Sequence, residues 1–392
     1  MAYVHGWGCL PTRFDVPLGQ LPACTQQLTF SHQLHGRGIR LRLSNRYGLE
    51  PLQIDGIFIQ CVDGTGQVTG EGVCTTEGES RKHLIPGEVI LTDPLALTIT
   101  PTDQVVVRMV FEAPQTIYSL CQTWSRDSWT VNFTSDGQVS RTRDLLQGLQ
   151  FDENDHDGAV GIEEVLLDSP VPVEEVAMFG DSITHMAFYT DALIARFRKI
   201  APGRLTFRNL GIGGNRLLHE ASYVPQIPSE GKLFGPKGLE RFEQDVYGLG
   251  HQPAWVSVLI GINDFTHPYA LDHLEEEVTL EAYQEAMTTL AGIAHRRGSK
   301  ILFGTLMPFN DGQKAYFNQT EALRLGANQW IRSQGISDGI IDFDIATRQQ
   351  GAPDWMVSTF HMGDGLHPNH EGGKAIASIF PLQVFIDRER GQ

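Results

Sequence analysis

From residue 173 onward the hydrophobic rhythm of the chain alternates. Short strand-like runs (EVAMFG, RLTFRNLG, AWVSVLIG, KILFGTLMP and GIIDFD) are separated by stretches with helical spacing. The clearest helix is 279–297, where Leu280, Tyr283, Met287, Leu290 and Ala294 recur at helical intervals. Thr279 can cap its start and Gly298 its end. Strands that are apolar on both faces, interleaved with helices, belong to a parallel sheet covered on both sides. In such sheets the site forms at the carboxyl ends of the strands. This alternation restricts the back of the chain to an α/β fold and says where its chemistry should lie.

The front of the chain keeps another rhythm. In GIRLRLSNRYG, Ile39, Leu41 and Leu43 alternate with Arg40 and Arg42. LQIDGIFIQCV, EVILTDPLALTI and DQVVVRMVFEA are further β-rich runs broken by Gly, Pro and Asp, and SWTVNFTSDGQ ends in a hairpin signal. Many short strands with frequent turns predict an all-β sandwich or jelly roll. At 392 residues the chain is too long for one ordinary domain. The division expected is 1–168 for the β domain and 173–392 for the α/β domain. LLDSPVPVEE, residues 166–175, has two prolines and no periodicity and reads as the linker.

Net charge is −17, which disfavours nucleic acid and acidic membrane surfaces as partners, since both are bound through Lys and Arg. Such a charge favours solubility. No window approaches the ~18 unbroken apolar residues of a membrane span. MAYVHGWGCLPTRF lacks a basic stretch followed by an apolar one, so the cytoplasm is the expected compartment, with secretion the alternative if a signal was removed. Cys9, Cys24, Cys61, Cys74 and Cys121 are odd in number and form no CxxC. They read as free thiols in a reducing compartment rather than as a disulfide framework or a zinc site.

Four polar, glycine-containing loops follow the predicted strands. They are Gly180-Asp181-Ser182, then Gly213-Gly214-Asn215 in NLGIGGN, then GINDF at 261–265, and DGLHPNH at 364–370. Serine hydrolysis needs a base for the serine proton, a carboxylate to orient that base, and donors for the oxyanion. Asp364 and His367, three residues apart in one loop, can set a carboxylate against one imidazole nitrogen while the other faces a nucleophile. Gly214 can offer a bare backbone N–H, and Asn263 its side-chain amide.

These four blocks resemble those of the SGNH/GDSL hydrolase superfamily, in order, over roughly 173–385. The resemblance implies a flavodoxin-like α/β/α three-layer domain with a five-stranded parallel sheet. It implies Ser182 as nucleophile, His367 as base and Asp364 as its partner. Ser182 N–H, Gly214 N–H and Asn263 would form the oxyanion hole. Asp181 would brace the turn, and neither cofactor nor metal would be needed. The front half, around LRLSNRYGLEPLQI, resembles the β-sandwich that precedes the catalytic domain in one bacterial branch of these esterases. An ester of a small molecule or carbohydrate, with a short acyl group such as acetyl, is the expected substrate. A lipid or lysophospholipid ester is the alternative. A catalytically dead carbohydrate-binding protein and an acyltransferase are further readings.

Several motifs compete with this one. GISDG, 335–339, matches a G-x-S-x-G nucleophile elbow around Ser337, but a helical stretch precedes it and a strand follows, the reverse of the required setting. ENDHDGAVGIEE, 153–164, nearly fits a calcium loop yet lacks flanking helices. GIGG lacks the full dinucleotide fingerprint, position 216 being Arg. Arg216 and His219 face substrate or form salt bridges. FTHPYALDHLEEE, 265–277, reads as an irregular loop that would bring Phe265, His267 and Tyr269 to the pocket wall. His361 and His370 read as helix or surface histidines. Trp124 and Trp129 read as sandwich core.

Overall fold

The computed structural model describes residues 2–146, 156–381 and Phe385. The chain divides into two compact units. The first is Met1–Val173 with Pro202–Arg208 and Pro225–Leu233; the second is Glu174–Ala201, Asn209–Val224 and Phe234–Gln392.

The first unit is antiparallel β. Its larger sheet contains β1 (Cys24–Ser31), β2 (Gly56–Val62), β3 (Val68–Val73), β4 (Gln104–Phe111), β5 (Trp129–Ser135) and β6 (Gln138–Ser140), in the order β6-β5-β1-β4-β2-β3. Burial alternates along β1: Cys24, Gln26, Leu28 and Phe30 point inward, while Thr25, Gln27, Thr29 and Ser31 are partly exposed. That is the period of a sheet with one face on a core and one in water. Gln26 is buried without penalty because its amide exchanges two hydrogen bonds with the backbone of Val160, at 3.0 and 2.7 Å. A second sheet is built from Ala2–Gly8, Gly36–Ser44, Val89–Leu91, Leu95–Ile99 and Ile162–Ser169. Trp7 of this sheet meets Trp129 of the first edge-on at 5.2 Å, so inner faces of the two sheets share a core. Trp129 is thus core, and Trp124 is half-buried, stacked on His156 at 5.2 Å.

One sequence expectation needs revision here, and the rejected calcium loop can be placed. The segment 166–175 is mostly strand: Ile162–Ser169 runs into it and Glu174–Gly180 starts within it, leaving 170–173 irregular. The prolines mark a short turn between strands, and the neighbouring leucines belong to a ladder. Of the calcium-loop residues, Asp155 lies outside the described residues. Asp157 is buried between Arg126 and Arg141, and Glu164 is paired with His5 and Arg42. The five cysteines are free thiols.

The second unit is α/β. Its sheet holds β7 (Glu174–Gly180), β8 (Leu205–Gly211, of which 205–208 falls in a segment grouped with the first unit), β9 (Trp255–Leu259), β10 (Lys300–Gly304) and β11 (Gly339–Ile341), ordered β8-β7-β9-β10-β11. The pairs β7–β9, β9–β10 and β10–β11 are parallel. Numbered along this unit the order is 2-1-3-4-5, the flavodoxin-like arrangement. Every residue of β9 is buried, and four of its five residues are apolar, as suits a strand covered on both faces; the fifth is Ser257. The main helices are α1 (Ser182–His185), α2 (Phe188–Ile200), α3 (Gly238–Tyr247), α4 (Ile262–Ala270), α5 (Leu280–Arg296), α6 (Phe317–Ser333) and α7 (His370–Ser378). Helix α2 packs on α7, and α5 packs on α3 and α6. Helix α5 has the boundaries the sequence predicts: Thr279 Oγ1 accepts from Ala282 N–H at 3.2 Å, and Gly298 leaves the helix at φ +79°. No helix among the described residues is long and apolar enough to cross a membrane.

Candidate active site

Strand β7 ends at Gly180 and α1 begins at Ser182, so the serine stands on a strand-to-helix turn at a carboxyl end of the sheet. Gly180 is required by close approach: a Cβ there would lie 2.1 Å from Thr184 Oγ1 and 2.7 Å from the Leu259 carbonyl. Asp181 caps α1, its Oδ1 accepting from Ile183 N–H at 3.1 Å. Its Oδ2 is buried with no hydrogen-bond partner among the described residues. Burial pushes this carboxyl up to about 7.

Ser182 Oγ lies 2.8 Å from His367 Nε2, and His367 Nδ1 lies 2.5 Å from Asp364 Oδ2. With the imidazole proton on Nδ1, the ring donates to the carboxylate and accepts from the serine hydroxyl. Asp364 Oδ1 accepts from the N–H groups of Leu366 and His367, each at 3.0 Å. Burial alone would raise the Asp364 carboxyl, but the His367 ring and these two N–H donors hold it well below the usual carboxylate range. It is therefore an anion whenever the imidazole must carry charge.

The second and third loops come together at Asn215, whose carbonyl accepts from Asn263 Nδ2 at 3.0 Å. One amide hydrogen of Asn263 remains for another acceptor. Gly214 has φ +68°, and a Cβ there would lie 2.2 Å from the Phe234 ring, so both conformation and space demand glycine.

Two residues that the sequence reading passed over, and His361, which it took as a helix or surface histidine, hold this arrangement. Arg241 on α3 is buried and donates to the carbonyls of Gly180 at 2.8 Å and Leu210 at 3.0 Å and to Asn215 Oδ1 at 2.9 Å. It thereby joins the ends of β7 and β8 to the second loop. Asp264, the residue after Asn263, is fully buried and accepts from Leu217 and Leu218 N–H at 2.7 and 2.8 Å. Burial pushes its carboxyl up to about 6. His361 Nδ1 accepts from Gly363 and Gly365 N–H at 3.0 and 3.1 Å, shaping the loop that carries Asp364. The sequence signals for Arg241 and Asp264 were an i, i+4 Arg241–Asp245 pair and an acidic residue beside Asn263; neither is specific.

The other proposed pocket residues are distributed differently. Segment 265–277 is not irregular: its first part completes α4, with Pro268 two residues before the helix ends, where it interrupts little further helix. Phe265 is consequently core, 1% exposed and packed on Tyr283 at 5.5 Å, rather than a wall residue. Arg216 is buried and bonds Ser222 and Glu276, so its guanidinium belongs to an ion pair. His219 is partly exposed, and burial beside Arg216 lowers its pKa. His267 follows Asn263 by one turn, packs on Phe234 at 5.2 Å, and is kept neutral by burial, which lowers its pKa to about 3. Tyr269 stacks on Tyr316 at 6.3 Å. Ser337 donates to the Gly339 carbonyl and accepts from Gln334, with a helix before it and β11 after. His370 is the first residue of α7 and packs on Phe188.

One group of metal-type side chains occurs among the described residues, His273, Glu275 and Glu276. Its atoms are already engaged: His273 with Glu275 and the Tyr223 carbonyl, and Glu276 with Arg216 and Ser222.

The sequence profile of the GDSL-like lipase/acylhydrolase family matches residues 178–375, which contain all four loops. No curated protein matches the chain. Among solved structures the chain is similar to LAE5, an alpha/beta hydrolase enzyme from the metagenome of Lake Arreo, Spain, at 19% identity and TM-score 0.41, covering 54% of this chain and 94% of that one. It is similar to Axe2, an acetylxylan esterase from Geobacillus stearothermophilus, at 21% identity and TM-score 0.40, covering 55% and 94%. A GDSL-like lipase from Bacteroides thetaiotaomicron is similar at 17% identity and TM-score 0.38, covering 54% and 88%. With the family profile spanning 178–375, the chain belongs to the GDSL-like lipase/acylhydrolase family and is a serine hydrolase of carboxylic esters.

Proposed function

We propose that Ser182 is the nucleophile of this esterase, with His367 its base and Asp364 the orienting carboxylate. The observation that carries the reading is the unbroken line Asp364 Oδ2, His367 Nδ1, His367 Nε2, Ser182 Oγ, at 2.5 and 2.8 Å. Ser182 Oγ attacks the ester carbonyl carbon as its proton passes to His367 Nε2, leaving an imidazolium stabilised by Asp364. The oxyanion is held by the N–H groups of Ser182 and Gly214 and the amide of Asn263. Collapse breaks the bond to the alkoxy oxygen, which takes the proton from His367. Water, deprotonated by the same nitrogen, then attacks the acyl-enzyme; the acid leaves and Ser182 regains its proton.

The substrate we propose is a short acyl ester, acetyl, on a carbohydrate. Support comes from the pairing of a β-sandwich with this hydrolase and from Trp355. That ring is 38% exposed and lies against Gly312, in the loop whose Lys314 donates to the Asp364 carbonyl at 3.0 Å. A half-exposed aromatic one loop from the proposed triad suits a sugar ring. Free, largely buried cysteines fit the reducing cytoplasm we propose as its compartment.

The test is hydrolysis of p-nitrophenyl esters from acetate to palmitate by wild type, Ser182→Ala and Ser337→Ala. Greatest activity on acetate, lost only with Ser182→Ala, is expected. A maximum at long chains would move the substrate to lipids, and activity surviving Ser182→Ala would overturn the nucleophile. Ester formation when a second alcohol competes with water would favour acyl transfer.

A further inference from the structure

The face of the six-stranded sheet turned from its core is organised across the strands. The registers align Asn132, Gln27, Arg108, Phe58 and Val73 as one row on β5, β1, β4, β2 and β3. Two residues along each strand, and so on the same face, a second row reads Thr130, Thr29, Val106, Gln60 and Glu71. Five strands at the usual spacing make each row ~19 Å long.

Side chains within the rows are tied to one another. Arg108 Nε donates to Gln27 Oε1 at 3.0 Å, and its Nη1 donates to Gln60 Oε1 at 2.5 Å. Gln60 Nε2 donates in turn to Glu71 Oε2 at 2.9 Å. These planar groups are ordered before any ligand arrives, so binding need not bear the full cost of fixing them. Phe58 and Val73, each 45% exposed, lie opposite one another at one end of the first row. A cavity of about 490 Å³ opens there, with Phe58, Val73, Gln60, Glu71 and Arg108 in its lining.

The chemistry of the face selects among ligands. Within the two rows the one guanidinium and the one carboxylate are joined through Gln60, and the remaining polar groups are amides and hydroxyls. Such a surface offers neither the net positive charge that a phosphate backbone needs nor a cation site. A peptide adding as a strand would use a sheet edge, not this face. A chain of neutral sugars has dense hydroxyls for the amides and apolar ring faces for Phe58. We infer that this face is a second binding site, for a neutral oligosaccharide lying across the strands, with Phe58 its stacking ring and Arg108, Gln60 and Gln27 its hydrogen-bonding groups. All these residues lie in the first unit, so the inference stands whether or not the acetyl-ester reading does.

Affinity gel electrophoresis of the full chain in soluble arabinoxylan, mixed-linkage β-glucan and glucomannan tests it. Wild type and Ser182→Ala should both be retarded by at least one of the three. Phe58→Ala and Gln60→Ala should weaken that binding at least tenfold while hydrolysing p-nitrophenyl acetate at the wild-type rate, which also verifies folding. Arg108→Ala should act in the same direction. Retardation by none of the three, retardation unchanged in all three face variants, or retardation lost in Ser182→Ala would overturn the inference. So would a change of oligomeric state on Phe58→Ala without any glycan effect, since the face would then be a protein contact.

Discussion

The oxyanion roles proposed for Gly214 and Asn263 can be separated by substitution. At φ +68° with the Phe234 ring filling the space of a side chain, Gly214→Ala should cost ~1–3 kcal/mol in strain and displace the N–H. Its kcat should fall at least tenfold, with partial recovery in the Gly214→Ala/Phe234→Ala double variant. Asn263→Ala should lower kcat by ~10²–10³ with KM nearly unchanged, as loss of an oxyanion donor does. If Asn263→Ala instead raises KM alone, the amide binds the ground state and the oxyanion assignment fails. Asp181 gives a prediction in pH. Its folded carboxyl is pushed up to about 7, whereas an unfolded aspartate ionises near ~3.9. Between those values the native state holds a proton that the unfolded state has lost, so stability falls as pH rises from about 4 to about 7. Asp264, raised to about 6, adds in the same sense over a narrower window. Asp181→Asn keeps a capping oxygen and cannot ionise. Its melting temperature should exceed that of wild type at pH 8, with the gap closing towards pH 4. A gap equal at pH 4, 6 and 8 would refute this account of Asp181.

Among the elements, α3 does more for the site than its sequence suggests. Through Arg241 it satisfies the last carbonyls of two strands and fixes Asn215, whose backbone carries the Asn263 amide. Removing the guanidinium would take a donor from each of these acceptors, leaving the Gly180 carbonyl with only Ile212 N–H among the described residues, and would break the ion pair with Asp245. Arg241→Met should therefore cost ~3–5 kcal/mol in urea unfolding, as breaking a buried pair does. Arg241→Lys should rescue little, since one ammonium cannot reach acceptors that diverge as these do. A stable, fully active Arg241→Met would show that the loops hold themselves. This is also where the sequence was least legible. The strand-end loops could be read because catalytic residue types there are few and their spacing is local. Arg241 lies about 60 residues from Gly180 along the chain and looks like any charged residue on an amphipathic helix. Helix α4 was mistaken for a loop because Pro268 and polar neighbours imitate one, although the helix only has to run two residues further. The linker error has the same origin: two prolines outweighed a leucine pair that pairs in a strand. Local chemistry was visible, whereas buried polar partners set by tertiary approach were not.

For the whole molecule, the order of the chain and the order of its packing differ. The sequence divides cleanly at a proline-rich turn, yet two later segments, Pro202–Arg208 and Pro225–Leu233, group with the first unit. Within that unit Thr206 Oγ1 donates to the His5 carbonyl at 2.6 Å and Lys232 pairs with Asp15 at 3.3 Å. Leu205, Phe207 and Leu233 are each buried to under 10% exposure. A fragment that begins at residue 174 would keep β8 beside β7 but would lose His5 and Asp15, the partners of Thr206 and Lys232. The fragment should melt well below the intact protein, and limited proteolysis should cut it first within 202–208 and 225–233. The complementary fragment, residues 1–173, would lack both segments and should also unfold at lower urea than the full chain. If the 174–392 fragment instead melts with the intact protein and resists cleavage at those segments, the two halves are independent modules in the sense the sequence implies. Loss of stability in both fragments would mean that the front half is part of how the hydrolase folds, beyond any ligand it binds.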